Sequence, residues 1–315
     1  MDGLSGNLPI LFDPVGQIVS RQCSLRTAIS CTGVGVHSGR RVTLSLRPAE
    51  VGTGILFRRT DIGVDFPARF DKVVDTRLCT VLGAEDPAVR LGTIEHLTAA
   101  LAGCGIDNAV AEIDGPELPI HDGSAAPFVF LIDCAGIAEQ DADRPEIEVL
   151  RPVRVEDGAA FAELRPAGPG SGGFGMTLSI DFAAEAIGRQ ALSLRLTPRT
   201  FRRELAAART FTEAAAVAQL REAGLAQGGT LDNAVVVDGP RVLNPGGLRM
   251  ADEFVRHKLV DAVGDLALAG APLRGRFRAH RSGHTLNNRL LRALFADPSA
   301  WRLTSDPLPA LSAAA

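Results

Sequence analysis

The chain has 315 residues, long enough for two domains of ordinary size, each with its own core. A net charge of −4 with 22% charged residues excludes a general basic field for nucleic acid, and no local basic patch stands out along the sequence. Runs of about 18 apolar residues are absent, which excludes a spanning helix of the usual kind.

Residues 1–20 read as a loosely held tail without the features of a secretory signal. In the first half, Arg41-Val-Thr-Leu-Ser-Leu-Arg47 alternates as a half-buried strand and Ala109-Val-Ala-Glu-Ile-Asp114 as a second. Between them, Thr93 is expected to cap a helix that runs through Glu95, His96, Leu97, Ala100 and Leu101 and stops at Gly103 or Gly105. A polar stretch with a proline, 140–145, marks a boundary. In the second half Phe161-Ala-Glu-Leu, Met176-Thr-Leu-Ser-Ile-Asp-Phe182 and Leu192-Ser-Leu-Arg-Leu196 alternate again, followed by a helical region over 201–225. A hairpin signal follows at 234–243, with Asp238-Gly239-Pro240 at the turn. A helix is predicted over 252–269, stopped by Gly270 and Pro272, and residues 301–315, with Pro307 and Pro309, read as a second tail. Strands grouped before helices in each half imply an α+β fold with two domains, 21–143 and 144–300.

The predicted 252–269 helix carries the most informative residues. His257, Asp261 and Asp265 recur at i, i+4 and i+8 and share one face. An i, i+4 His/Asp pair is more often a surface ion pair than a metal site, yet an imidazole and a carboxylate one turn apart have the spacing to hold one side of a Zn²⁺ ion. The five cysteines, Cys23, Cys31, Cys79, Cys104 and Cys134, all precede residue 135, contain no C-x-x-C pair and read as reduced thiols of a cytoplasmic protein. A third ligand is therefore sought among six histidines, and His96, in the first turn of its helix beside Glu95, can complete a His/His/Asp set, although on local sequence a Glu serving the helix dipole beside a surface His is the commoner reading. Adjacent residues face different ways, so Glu95 is free to act as general base. His284 follows Ser282-Gly283 in a turn before a short helix; a loop histidine held charged by Asp265 suits a general acid, although a histidine beside Ser-Gly is more commonly a solvent-exposed turn residue. Thr210 and Lys258 offer a hydroxyl and an ammonium to an oxyanion.

Taken together these residues resemble the UDP-3-O-acyl-N-acetylglucosamine deacetylase family. The likeness runs through Gly33-Val-Gly-Val-His37-Ser-Gly39, Phe57-Arg-Arg-Thr-Asp61, Val64-Asp-Phe-Pro67, Thr93-Ile-Glu-His-Leu97 and Gly105-Ile-Asp-Asn108. It continues in Pro119-Ile-His-Asp-Gly-Ser-Ala-Ala-Pro-Phe128, Ala208-Arg-Thr-Phe211, Gly228-Gly229, Asp252-Glu-Phe-Val-Arg-His-Lys258, Asp261-Ala-Val-Gly-Asp265 and Ser282-Gly-His284, covering about 21–300 in the family's order. The resemblance implies hydrolysis of the 2-acetamido group of an acylated UDP-sugar, the committed step of lipid A synthesis. It implies one Zn²⁺ per chain, with Fe²⁺ as the alternative ion, on His96, His257 and Asp261. Glu95 falls where the family has its base, His284 its acid, Asp265 the acid's partner, and Thr210 and Lys258 its oxyanion donors.

The implied architecture is two similar domains, each a sheet with two helices, packed helix on helix as a β-α-α-β sandwich with an insert in each. A β-α-β insert over about 210–237 would wall an acyl passage, with Phe211, Val217, Leu220, Gly229, Leu231 and Val236 as its lining; read from the residues alone, Ala214-Ala-Ala-Val-Ala-Gln-Leu220 is an amphipathic helix that serves equally as core. Three departures from the family pattern stand out: Ala183-Ala-Glu-Ala after Phe182, His121 at a position commonly apolar, and Glu213 near the passage. The partner expected is a small acylated UDP-sugar, without nucleic acid, and a monomer is the default. Two rival readings stay open: a nucleotide-sugar or acyl-lipid binding protein with a structural metal, and a zinc peptidase lacking H-E-x-x-H.

Overall fold

Alternation of buried and exposed residues builds both main sheets of the computed structural model, which describes residues 11–12, 18–84, 86–168 and 173–304. In the first half, Arg41–Pro48 turns Val42, Leu44 and Leu46 into the core. It lies in a five-stranded sheet of order Ile29–Val34, Arg41–Pro48, Ala109–Ile113, Ile55–Arg59, Val64–Pro67. Ala109–Ile113 runs parallel to Ile55–Arg59. That pairing requires a long crossover, and the crossover carries helix α1, Glu95–Cys104. Helix α2, Ala126–Ala135, packs against α1. A small sheet of Val73–Asp75, Val81–Gly83 and Arg90–Leu91 forms an insert ahead of α1.

The second half repeats the plan with a seven-stranded sheet centred on Leu273–His280. Its own insert comprises strand Phe211–Glu213, helix α3, Ala214–Glu222, and strand Val235–Asp238, which pairs parallel to Phe211–Glu213. Helices α4, Glu253–Ala267, and α5, His284–Ala296, lie against the main sheet, and α4 packs along α1 of the first half. The result is the expected α+β sandwich with helices between two sheets. Close approach of the central helices depends on Gly264, where a Cβ would lie 2.0 Å from the Glu95 carbonyl oxygen. The Thr98 hydroxyl, 3.1 Å from the Gly264 carbonyl, fastens the same crossing. Any larger residue at 264 would separate the two elements that carry the buried polar groups.

Four expectations change. Thr93 does not cap α1: its φ of +56° puts it in the left-handed region and its hydroxyl donates to Glu117 Oε1 at 2.9 Å. The 201–225 region is not one helix, because after a helical turn over 198–205 the chain extends at Phe211–Glu213 before α3. His284 is not in a turn; it is the first residue of the 13-residue α5. Trp301–Leu303 is a strand paired with Ile147–Val149, so 301–304 leaves the expected tail. The rest of that tail lies outside the described residues. So does most of the expected 1–20 tail, where Leu11–Phe12 pairs with Ile18–Val19.

Candidate metal centre

His96 sits in the first turn of α1, and His257 and Asp261 one turn apart inside α4. All three are 3% exposed. His257 Nε2 is 3.2 Å and His96 Nε2 3.8 Å from the same oxygen, Asp261 Oδ1. The two rings meet edge to face at 5.1 Å between centroids, and one ligand atom from each residue lies within 4.8 Å of the others. Asp261 Oδ1 is buried and has no hydrogen-bond partner among the described residues. An orphaned anionic oxygen converging with two imidazole nitrogens fits a divalent cation. The ring of His257 is fixed for that task, because its Nδ1–H faces the Ala208 carbonyl at 3.1 Å and leaves Nε2 as the lone-pair nitrogen. Burial, then the neighbouring His257 imidazole, lowers His96 to about 3, so it stays neutral as a ligand must.

Lys258 Nζ donates to the other oxygen of Asp261 at 2.7 Å. Burial pushes the Asp261 carboxyl up, but His257 and Lys258 outweigh it and hold the group well below its ordinary value. The segment that offers the Ala208 carbonyl is itself clamped, since Arg209 meets the fully buried Glu253 through its backbone N–H and its guanidinium. Thr210 follows, half-buried, with its N–H on the Gly123 carbonyl at 2.8 Å. Gly123 has φ +83° and a Cβ there would lie 2.0 Å from the Asn233 carbonyl oxygen, so the insert closes on the first half at a position only glycine fits.

Beside the ligand set lies an acid–base group. Asp265, one turn beyond Asp261, accepts from His284 Nδ1 at 2.9 Å and from Asn287 Nδ2 at 2.8 Å on Oδ2, and from the Thr80 hydroxyl on Oδ1. Glu95 Oε2 accepts the Thr80 N–H at 3.0 Å. Burial raises Glu95 to about 7, Asp261 and Asp265 adding to it against the pull of His284. Burial opposes a charge on His284, but the Asp265 carboxylate and then Glu95 prevail and raise it to about 9. At neutral pH the pair is poised as a base about half ionised and a protonated acid.

Glu95, His96, His257, Lys258, Asp261, Asp265 and His284 therefore converge, with Thr210 on the segment next to His257's carbonyl partner. Phe211 packs edge-on to Phe254 at 5.0 Å and to His257 at 6.2 Å. Val217, Leu220, Gly229 and Val236 are half-buried in the insert, and Leu231 is 41% exposed. Helix α3 has no buried residue, which excludes the core reading of 214–220. Two polar partners escaped sequence reading. Asn287, at i+3 from His284, had a helical spacing that would have revealed it once α5 was recognised; Thr80, at the edge of a short strand, carried no local signal.

Residues 22–296 match the family described as UDP-3-O-acyl N-acetylglycosamine deacetylase, LpxC. The chain belongs to this family. It is 50% identical over 289 residues to the UDP-3-O-acyl-N-acetylglucosamine deacetylase of Vibrio parahaemolyticus serotype O3:K6, a span of 90% of this chain and 93% of the relative. The like-named proteins of Shewanella sp. strain W3-18-1 and Aliivibrio fischeri strain ATCC 700601 / ES114 are 50% and 48% identical, again across 90% of this chain and 92% and 93% of theirs. The family is one of metalloenzymes, and the His96/His257/Asp261 cluster is where this member can hold an ion. No helix among the described residues is long and apolar enough to cross a membrane.

Proposed function

We propose that the protein hydrolyses the 2-acetamido group of UDP-3-O-(3-hydroxyacyl)-N-acetylglucosamine at a single Zn²⁺ held by His96, His257 and Asp261, with Fe²⁺ as the alternative ion. In a Gram-negative cytoplasm this reaction commits material to lipid A, and we take the protein to act there as a monomer. The observation that carries the reading is the placement of a buried His/His/Asp set, with Asp261 Oδ1 left without a hydrogen-bond partner, beside a carboxyl raised to about 7 and an imidazole raised to about 9.

When bound, the ion acidifies water and polarises the amide carbonyl. Glu95 would accept a proton from the attacking water as the water oxygen bonds to the carbonyl carbon. We assign stabilisation of the oxyanion to the Thr210 hydroxyl and the Lys258 ammonium. His284 uses Nδ1 to hold Asp265, so Nε2 is the nitrogen that delivers a proton to the leaving amine. The carbon–nitrogen bond then breaks, giving acetate and the ammonium form of the amine: the nitrogen takes one proton from His284 and one from the hydroxyl of the tetrahedral adduct, while Glu95 keeps the proton it took from water. Phe211, Val217, Leu220, Gly229, Leu231 and Val236 are assigned to the acyl passage. The support is a helix that buries none of its residues although Val217 and Leu220 face a half-buried environment; a fatty chain would cover them.

Incubation of the zinc-loaded protein with the acylated UDP-sugar should release one acetate per amine, and Glu95→Ala should abolish release while the metal content stays at one per chain. An intact protein that keeps its metal and releases no acetate is a binding protein, and the proposal is then wrong. Cleavage of peptides in place of the sugar amide would point to a peptidase.

A further inference from the structure

Thr80 is 1% exposed and immediately precedes the strand Val81–Gly83 of the first insert. Each of its polar atoms meets a different part of the site. The N–H donates to Glu95 Oε2 at 3.0 Å, the hydroxyl donates to Asp265 Oδ1 at 2.5 Å, and the carbonyl lies 3.4 Å from the Ile94 N–H at the start of α1. A carboxylate only accepts, so the hydroxyl proton must point to Asp265. Glu95 and Asp265 come from opposite halves of the chain, and among the described residues only Thr80 is hydrogen-bonded to both carboxylates. Asp265 is held from its other oxygen by His284 Nδ1 and Asn287 Nδ2, and Asn287 Oδ1 is fixed in turn by the Ser282 hydroxyl at 2.7 Å.

We infer that Thr80 is a positioning residue of the deacetylation: its amide sets the base and its hydroxyl sets the carboxylate that aims the acid, so one residue fixes the two across the domain interface. The inference rests on the roles proposed for Glu95, Asp265 and His284. The physical reason is geometric. Without the hydroxyl, Asp265 Oδ1 loses a buried donor and the carboxylate is free to turn about its Cβ–Cγ bond, carrying the His284 ring with it. A misplacement of about 1 Å between acid and substrate nitrogen slows the chemistry by about 10²-fold without weakening binding. A residue that merely filled the core would lower stability and leave the turnover of the folded fraction unchanged.

The test compares wild type, Thr80→Val, Thr80→Ser, Asp265→Asn and the Thr80→Val/Asp265→Asn double variant, each loaded with zinc and assayed for kcat, KM and bound metal. Thr80→Val retains the amide and nearly the shape and removes the donor. Expected are a fall in kcat of about 10–10²-fold, a KM within about 2-fold of wild type, one zinc per chain, and recovery to within about 3-fold by Thr80→Ser, which restores the hydroxyl. In the Asp265→Asn background, Thr80→Val should cost less than about 3-fold further, because its effect passes through Asp265. Wild-type kcat in Thr80→Val, a change in KM alone, or losses that multiply in the double variant would overturn the inference. If Asp265→Asn itself keeps wild-type kcat, the assignment of the acid fails instead, and the two failures are told apart. Should Thr80→Val fail to fold, Thr80→Ala gives the same comparison.

Discussion

Around α4 the ionisable groups are buried and linked to one another through their side chains, whereas the insert that begins at Phe211 is held mainly through its backbone. His96, His257, Asp261, Glu95, Asp265 and His284 are 9% exposed or less, and Asp265 alone accepts three side-chain hydrogen bonds. Helix α3, by contrast, has no buried residue. The insert is pinned where the Gln227 and Gly228 N–H groups meet the His37 and Val36 carbonyls at 3.2 and 3.0 Å, and where Thr210 meets Gly123. The contrast separates two tasks: a centre whose atoms must stay within a fraction of an ångström, and a wall that must accept a chain. Substitutions should divide the same way, those in the centre acting on turnover and those in the insert on which substrate binds.

The largest effect should come from the ligands. His257→Ala removes one of the two imidazoles and leaves Asp261 buried beside Lys258. The zinc content should fall well below one per chain after dialysis, and kcat/KM should drop by roughly 10³-fold or more, the scale of several kcal/mol of lost charge stabilisation. Metal analysis of the purified variant decides it; full occupancy with near-normal rates would mean that the donor set has been misread and would break the contrast at its strongest point.

Next in size is the response to pH, which sharpens the same contrast because the insert contributes no titrating group to it. Glu95 must be ionised to accept a proton, so with the carboxyl raised to about 7 the rate should climb as pH rises through that value. His284 must be protonated to donate one, so with the imidazole raised to about 9 the rate should fall as pH rises beyond it. Each limb changes the rate about tenfold per pH unit. His284→Gln should lower the plateau and erase the descending limb alone, measured as kcat/KM from pH 5 to 10. A descending limb that survives the substitution would belong to another group.

How much of this was legible in the sequence depended on whether a signal was local. The α4 ligands were readable because apolar Phe254, Leu259, Val260 and Val263 mark the helix and the i, i+4 spacing fixes His257 against Asp261. The main strands were readable because alternation survives in Arg41–Pro48 and Phe174–Asp181. His284 was placed in a turn because Ser282-Gly283 reads as one, although Leu286, Leu290 and Leu294 already marked a helical face and are buried as such. The strand Trp301–Leu303 was hidden by the proline-rich residues after it; three residues are too few to show a period, and only pairing with Ile147–Val149 makes them a strand. Thr80 was beyond reach, because its role exists only once Glu95 and Asp265, 170 positions apart in sequence, are brought to opposite ends of one residue. The resemblance supplied which histidine answers to which role, a pairing that spacing alone left open.

The smallest effect should be selective rather than large, and it tests the wall. Val217 is half-buried on α3, where no core residue anchors it, so Val217→Trp can be accommodated by the fold while narrowing the space beside the helix. If Val217 lines the acyl passage, each methylene excluded from it forfeits about 0.8 kcal/mol of burial, close to a fourfold rise in KM per methylene. The loss should appear only for chains long enough to reach the indole, with kcat and the pH profile of a short-chain substrate unchanged. A series of UDP-sugars differing by two carbons at a time, assayed against wild type and variant, resolves that slope. An equal loss across the series would place Val217 outside the passage, and a loss in kcat for the short-chain substrate would show that the insert is coupled to the centre after all, erasing the division of tasks drawn from their different anchoring.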